Sequence, residues 1–262
     1  MNQLPILNYH GIDGKDKAYP WLDVEKRYVL SLKAFEAQMH RLHTENFHTF
    51  NREELQKWFD WQLLIDKPLV LTFDDGHISH YEQAMPVLKK LGLKAVFFVT
   101  AGFVGKEGYM GWDHLKQLLI HGFDIGSHGM HHIPLQGLSA AELDREIGES
   151  KKILEERLQT EISFFSIPRG FGFDGIRAQF RKSGYRFVMT SDFDVNFRNQ
   201  DSLNLRRMAV RQTDSLTSVI QWCHGKVGWR RETERIKKIV RHRIPPAVYD
   251  RLSDFKRRLK TK

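Results

Sequence analysis

Leu69-Val70-Leu71-Thr72-Phe73-Asp74-Asp75-Gly76 is the stretch whose reading decides the fold. A short apolar run bounded by Pro68 and Gly76 predicts a buried strand. It stops on two carboxylates and a glycine, so both acids arrive at the rim of a sheet, where α/β proteins place their chemistry. Neighbouring side chains on a strand point to opposite faces, and Asp74 and Asp75 are therefore expected to have different tasks. Alone, Asp-Asp-Gly reads equally well as a turn that closes a strand. The choice depends on a second stretch, Ser127-His128-Gly129-Met130-His131-His132.

Outward from this strand the chain alternates. Upstream, residues 4–9 read as a short apolar strand ending at His10-Gly11. Ser31 caps a helix in which Leu32, Phe35, Met39 and Leu42 recur at helical spacing. A strand near 47–50 precedes Asn51 and Glu54, which resemble a capping box. Downstream, a helix over 81–91 stops at Gly92, and 94–100 is a second buried strand. A helix over 113–121 ends at Gly122, and 123–126 is a strand running into the histidines. Ser139 and Glu142 open a helix to about 158. Strands at 162–166 and 185–190 flank a helix over 174–183, and 216–224 is helical. Strand-helix-strand repeated about seven times predicts an α/β fold with a parallel sheet, closed into a distorted (β/α) barrel over residues 1–225.

Composition narrows the function classes. The 262 residues suffice for a full core, and 41% hydrophobic with 28% charged residues is ordinary for a globular protein. A single cysteine, Cys223, excludes an internal disulfide framework. The N-terminal Met1-Asn2-Gln3-Leu4-Pro5-Ile6-Leu7 lacks a basic region and a long apolar core, so the expected location is the cytoplasm. The net charge of +9 is unevenly placed: residues 226–262 hold 14 Lys/Arg and 4 Asp/Glu, a net of +10, which leaves the other 225 residues at −1. A near-neutral body argues against a nucleic-acid groove.

His128 and His132 are four residues apart, so a helical turn or tight loop can bring both imidazoles to one point. His131 also neighbours His128 at helical spacing, which leaves the pairing open. A carboxylate from an adjacent strand would complete two nitrogens and one oxygen, with positions left for water and substrate. That is the donor pattern of a catalytic rather than a structural divalent metal site. Surface or core histidines are the plain alternative.

Taken together, these segments resemble the polysaccharide deacetylases, carbohydrate esterase family four. Thr72-Phe73-Asp74-Asp75-Gly76 and Ser127-His128 through His132 look like its first two motifs. Leu93 to Val99, Gly111 to Leu115 and Glu146 to Lys151 match as flanking segments, and Phe165 to Gly170 sits where the third motif falls. The resemblance covers about residues 4–225. It implies a distorted barrel that removes acetyl groups, N- or O-linked, from the sugars of a polysaccharide or its lipid-linked precursor. Asp75, His128 and His132 would then bind one divalent ion, zinc or in its place cobalt or nickel. Asp74 would be the general base toward a metal-activated water. Pro168 and Arg169 would border the bound substrate in its transition state, with a backbone N–H near Arg169 donating to the oxyanion.

Two positions depart from the family pattern. Ser166 stands where the third motif usually begins with an arginine, and Arg207 is the candidate to supply that guanidinium from elsewhere. The final Leu-x-x-His motif is missing near 220, yet Leu7-Asn8-Tyr9-His10 has the same pattern at the other end. Branches of the family that act on exopolysaccharide look permuted in this way. A closed barrel joins its first and last strands, so His10 is the expected general acid, with His224 as fallback. Two other readings keep the barrel: a hydrolase of another amide, cyclic or linear, and a non-catalytic carbohydrate-binding protein.

The tail, 226–262, is expected to be a separate basic extension. From Pro245-Pro246, the residues Val248, Tyr249, Leu252, Phe255 and Leu259 recur at three- and four-residue steps, with basic residues mostly off the stripe. Such a helix either docks on the barrel or attaches to an anionic membrane surface, the inner face for a cytoplasmic protein. No nucleic-acid partner is expected, since the tail offers few aromatics for stacking.

Overall fold

The computed structural model describes residues 2–14, 19–20, 24–170 and 175–243, with side chains to 236. The chain divides into two units, Met1–Lys226 and Val227–Lys262. The first is built on one sheet of eight short strands. These are β1 (Ile6–Tyr9), β2 (His48–Thr49), β3 (Pro68–Phe73), β4 (Val96–Val99), β5 (Asp124–Ser127), β6 (Phe164–Ser166), β7 (Phe187–Met189) and β8 (Met208–Ala209). Their order is β7-β6-β5-β4-β3-β1-β8, with β2 beside the start of β3, and every pairing is parallel.

All six residues of β3 are buried. A parallel sheet covered on both faces demands such a continuous apolar run. The sheet curls until its edges meet: Leu205 bridges Met189 of β7 while Met208 and Ala209 pair with Leu7 and Asn8 of β1. One side of this curl is filled by Leu4, Ile6, Phe50, Trp58, Val70, Phe98, Phe164 and Phe187 among others. Burying one such side chain contributes about 1.5–3 kcal/mol.

Helices cover the outer surface: α1 (Leu32–Thr44), α2 (Arg52–Phe59), α3 (Met85–Lys90) and α4 (Trp112–Ile120). After them come α5 over 140–158, α6 (Arg177–Lys182) and α7 (Leu216–Cys223). The caps are those expected. Ser31 Oγ accepts from Ala34 N–H at 3.3 Å, and the boxes at Asn51/Glu54 and Ser139/Glu142 are both formed. On α1 the buried stripe is Phe35, Gln38, Met39 and Leu42. Gln38 is buried there, where Leu32 was expected, because the Tyr9 hydroxyl donates to its Oε1 at 2.8 Å. In α5 the backbone widens into a π-helical stretch at Asp144–Glu149.

Register decides what shares the rim. Tyr9 pairs with Phe73, so His10 and Asp74 emerge side by side. Val99 pairs with Ser127 and Ser127 with Phe165, which brings the histidine loop and the segment after Ser166 to the same edge.

The second unit contains α8 (Gly228–Arg243). The apolar stripe expected from Val248 to Leu259 lies outside the described residues. Among the described residues no helix is long and apolar enough to cross a membrane.

Candidate active site

Adjacent in sequence, the two carboxylates have separate surroundings. Asp74 leaves β3 with its N–H on the carbonyl of Tyr9, at 2.9 Å. Its carboxylate is buried and gripped by Arg207, with Nη1 2.7 Å from Oδ1 and Nη2 2.8 Å from Oδ2. Asn8 Nδ2 also donates to Oδ2 at 3.0 Å. Ser166 Oγ donates to the same oxygen at 3.2 Å while accepting from Arg207 Nη2 at 2.8 Å. Arg207 is itself pinned, its Nε donating to the carbonyl of Thr190 at 3.0 Å. Burial raises the pKa of Asp74, but the Arg207 guanidinium, with His128 behind it, outweighs this and holds the carboxyl well below its usual range.

Asp75 turns the other way. Its φ of 78° and that of Gly76, 73°, are both left-handed, which swings the carboxylate off the strand line. A non-glycine residue held there stores about 1–3 kcal/mol of strain, a cost found mainly at functional sites. Asp75 Oδ1 then lies 3.4 Å from Nε2 of His128 and 3.4 Å from Nε2 of His132. Burial pushes its pKa up, but the neighbouring imidazoles, His128 first, bring it well below the usual value.

The histidines sit on a loop, not a helix. His128 continues β5 with its N–H on Val99 O at 2.8 Å, and its Nδ1 donates to the carbonyl of Ser166 at 2.8 Å. That bond selects the tautomer whose Nε2 is unprotonated and faces Asp75. His132 reaches the same point through a left-handed φ of 57°. Burial and the charge of His128 hold His132 down at about 4. In His128 burial is outweighed by Asp74 and Asp75, and its pKa is raised.

One ligand atom each from Asp75, His128 and His132 lies within 4.8 Å of the others. Two donors about 2.1 Å from one tetrahedral ion stand about 3.4 Å apart. Both carboxylate–imidazole separations have that value. The donor set therefore fits a divalent ion. His131, the competing candidate, points elsewhere, its Nδ1 2.6 Å from Oε1 of Glu146.

His10 stands at the end of β1, half-buried, its ring stacked on Tyr28 at 4.7 Å between centroids. Its Nδ1 is buried and has no hydrogen-bond partner among the described residues. Strand alternation puts it on the same face as Asn8, and its charge helps hold both Asp74 and Asp75 down. Pro168 is buried beyond β6, and Arg169 is exposed with a φ of 56°, close enough to lower the pKa of His132. His224 is not part of this group; its Nε2 pairs with Glu45 at 2.8 Å. Sequence reasoning passed over Asn8 and Glu146. The signal for Asn8 was a lone polar residue inside an otherwise apolar strand.

A curled parallel sheet with an Asp-His-His cluster and a buried acid at one rim defines a hydrolase-type barrel. Residues 62–188 match the polysaccharide deacetylase family model. YxkH of Bacillus subtilis, assigned by its name to the polysaccharide deacetylases, is 30% identical over 210 residues, covering 79% of this chain and 71% of that protein. The chain belongs to the polysaccharide deacetylase family. The poly-β-1,6-N-acetyl-D-glucosamine N-deacetylase of Staphylococcus aureus is 24% identical over 199 residues, covering 71% of this chain and 69% of that one. The fold is also that of the Streptococcus pyogenes deacetylase PplD, solved in complex with acetate. It matches with a TM-score of 0.76 at 23% identity over 84% of this chain and 97% of that chain.

Proposed function

We propose that the chain is a metal-dependent N-deacetylase of an N-acetylated polysaccharide or its lipid-linked precursor. The observation that carries this reading is the division between the two acids, Asp74 held by Arg207 and Asp75 facing two imidazoles. Asp75, His128 and His132 would hold the ion. When bound, it supplies Lewis acidity, lowering the pKa of a water toward about 7 and polarising the acetyl carbonyl.

The chain's own residues do the rest. Asp74, kept ionised by Arg207 and Asn8, accepts the proton of the attacking water. The C–O bond forms, the C–N bond breaks, and acetate and an amine are the products. The departing nitrogen must be protonated, because an amide anion is too basic to leave. His10, beside Asp74 on the neighbouring strand, delivers that proton. The backbone at Pro168 and Arg169 borders the place where negative charge develops.

Acetate release from β-1,6-linked N-acetylglucosamine oligomers, before and after chelator and with zinc, cobalt or nickel restored, tests this. Activity that survives complete metal removal would overturn it. His10→Asn should lower kcat by about 10²-fold or more with metal content unchanged. For the second unit, the proposal is attachment to an anionic membrane surface. It is supported by Trp229 and Ile236, exposed on α8 at 85% and 61%, among Arg230, Arg231 and Arg235. Co-sedimentation with phosphatidylglycerol vesicles, against a chain ending at Gly225, is the check.

A further inference from the structure

Glu146 has no part in the chemistry above, yet its carboxylate grips the histidine loop. It is 2% exposed. Its Oε2 accepts from the backbone N–H of Met130 at 2.9 Å and of His131 at 3.0 Å, and its Oε1 receives His131 Nδ1 at 2.6 Å. On the opposite edge of the loop, the N–H groups of Ala101 and Gly102 donate to the carbonyls of Gly129 and Met130, at 2.9 and 3.0 Å. The peptides between the two metal-site histidines are thus held from both sides. Strand β4's exit takes the carbonyls, and one buried carboxylate takes the amides.

This loop requires an external grip. Gly129 and His132 are both left-handed, with φ of 79° and 57°, and a left-handed non-glycine is costly by about 1–2 kcal/mol. Without a restraint the segment is free to adopt a helical turn, in which His128 can pair with either His131 or His132. Glu146 is aimed at the loop by the widened stretch of α5, Asp144–Glu149. Such single-turn widenings free carbonyls that need other partners. Ser150 Oγ donates to Glu146 O at 2.6 Å, and the Tyr185 hydroxyl donates to Ile147 O at 3.0 Å. Ser150 Oγ also lies 2.8 Å from Ser127 Oγ, which accepts from Gly129 N–H at 3.2 Å. The widened helix and the loop form one hydrogen-bonded unit.

We infer that Glu146 is a positioning residue for the metal centre. It sets the separation of His128 and His132, and it holds the His131 ring against its own carboxylate, outside the Asp75–His128–His132 cluster. This inference rests on the reading of Asp75, His128 and His132 as the metal ligands. It concerns reach rather than charge: one oxygen must meet two adjacent amides.

The test compares Glu146→Ala, Glu146→Asp and Glu146→Gln. Zinc affinity is read by competition with a chromophoric chelator, and amide exchange of residues 128–132 in the metal-free protein by mass spectrometry. Glu146→Ala should weaken zinc binding by about 10–100-fold, the range for loss of a group that orients a metal ligand. Glu146→Asp, one methylene short, should fall in the same direction by about tenfold, and Glu146→Gln should stay within about threefold. Exchange at Met130 and His131 should quicken in the same order. Should Glu146→Ala fail to fold, the order of Asp against Gln decides. Wild-type affinity and wild-type exchange in Glu146→Asp would overturn the inference. If the wild-type protein binds no zinc, the metal reading fails, and the exchange measurements still decide whether Glu146 anchors the loop.

Discussion

Asp74 and Arg207, 133 residues apart in sequence, meet as a buried two-point ion pair. The pairing is 2.7 Å at Nη1–Oδ1 and 2.8 Å at Nη2–Oδ2. Removing one partner of such a pair costs about 3–5 kcal/mol, because the remaining charge is left buried and uncompensated. Arg207→Met should therefore lower stability by about that amount in urea denaturation. The double variant Asp74→Asn/Arg207→Met should be more stable than Arg207→Met alone. Equal stability of wild type and Arg207→Met would show that the pair is not formed in solution.

The two acids should separate in their effects. Asp75→Asn, like His128→Ala and His132→Ala, should lose metal in a calorimetric zinc titration. Asp74→Asn should retain zinc and lose about 10²–10⁴-fold in kcat for acetate release, since the base is removed while its shape is kept. Loss of zinc by both asparagine variants to the same degree would contradict the division of labour.

A third expectation is a stability change with pH that centres on His80. Burial, with the charge of His77 beside it, holds the pKa of His80 down at about 3, against an ordinary value of 6.5. Its Nε2 donates to the carbonyl of His10 at 2.5 Å, and its ring packs on Phe73. The unfolded chain binds this proton more readily, so the stabilising contribution is present above pH about 6.5 and is lost as pH falls toward 3. At pH 5 the loss attributable to His80 is about 2 kcal/mol. Its neighbour His77, also held down by burial, acts in the same direction. The difference in pH dependence between wild type and His80→Gln isolates the share of His80. Parallel curves between pH 7 and 5 would show that His80 does not carry it.

Gly102 is a fourth point of control. A Cβ there would lie 2.5 Å from the carbonyl oxygen of Met130, a backbone atom that cannot swing aside. Gly102→Ala must push the histidine loop away from β4, which should destabilise by about 1–3 kcal/mol. Zinc affinity should fall with it. Gly111→Ala, whose nearest neighbour would be His114 Nδ1 at 3.8 Å, is the control: it should leave zinc affinity unchanged and cost only about 1 kcal/mol, for replacing a helix N-cap glycine. Thermal melting and the chelator competition together read both effects.

The strand-helix alternation, the caps at Asn51 and Ser139, and the arrival of Asp74 and Asp75 at a sheet rim were determined by the sequence itself. They rest on interactions within a few residues: continuous apolar runs of strand length, side chains that satisfy the first amides of a helix, and a glycine that permits a left-handed turn. The resemblance of two short motifs identified the family for the same reason, since each motif is local. Tertiary structure alone decided the rest. It seated Ser166 and the distant Arg207 together on Asp74, placed Asn8 beside them, and turned His131 onto Glu146 and His132 toward Asp75. These contacts depend on strand order and on the register of parallel neighbours such as Tyr9 with Phe73. In a curled parallel sheet, one rim collects the ends of strands far apart in the chain, and only the closed sheet specifies which ends meet.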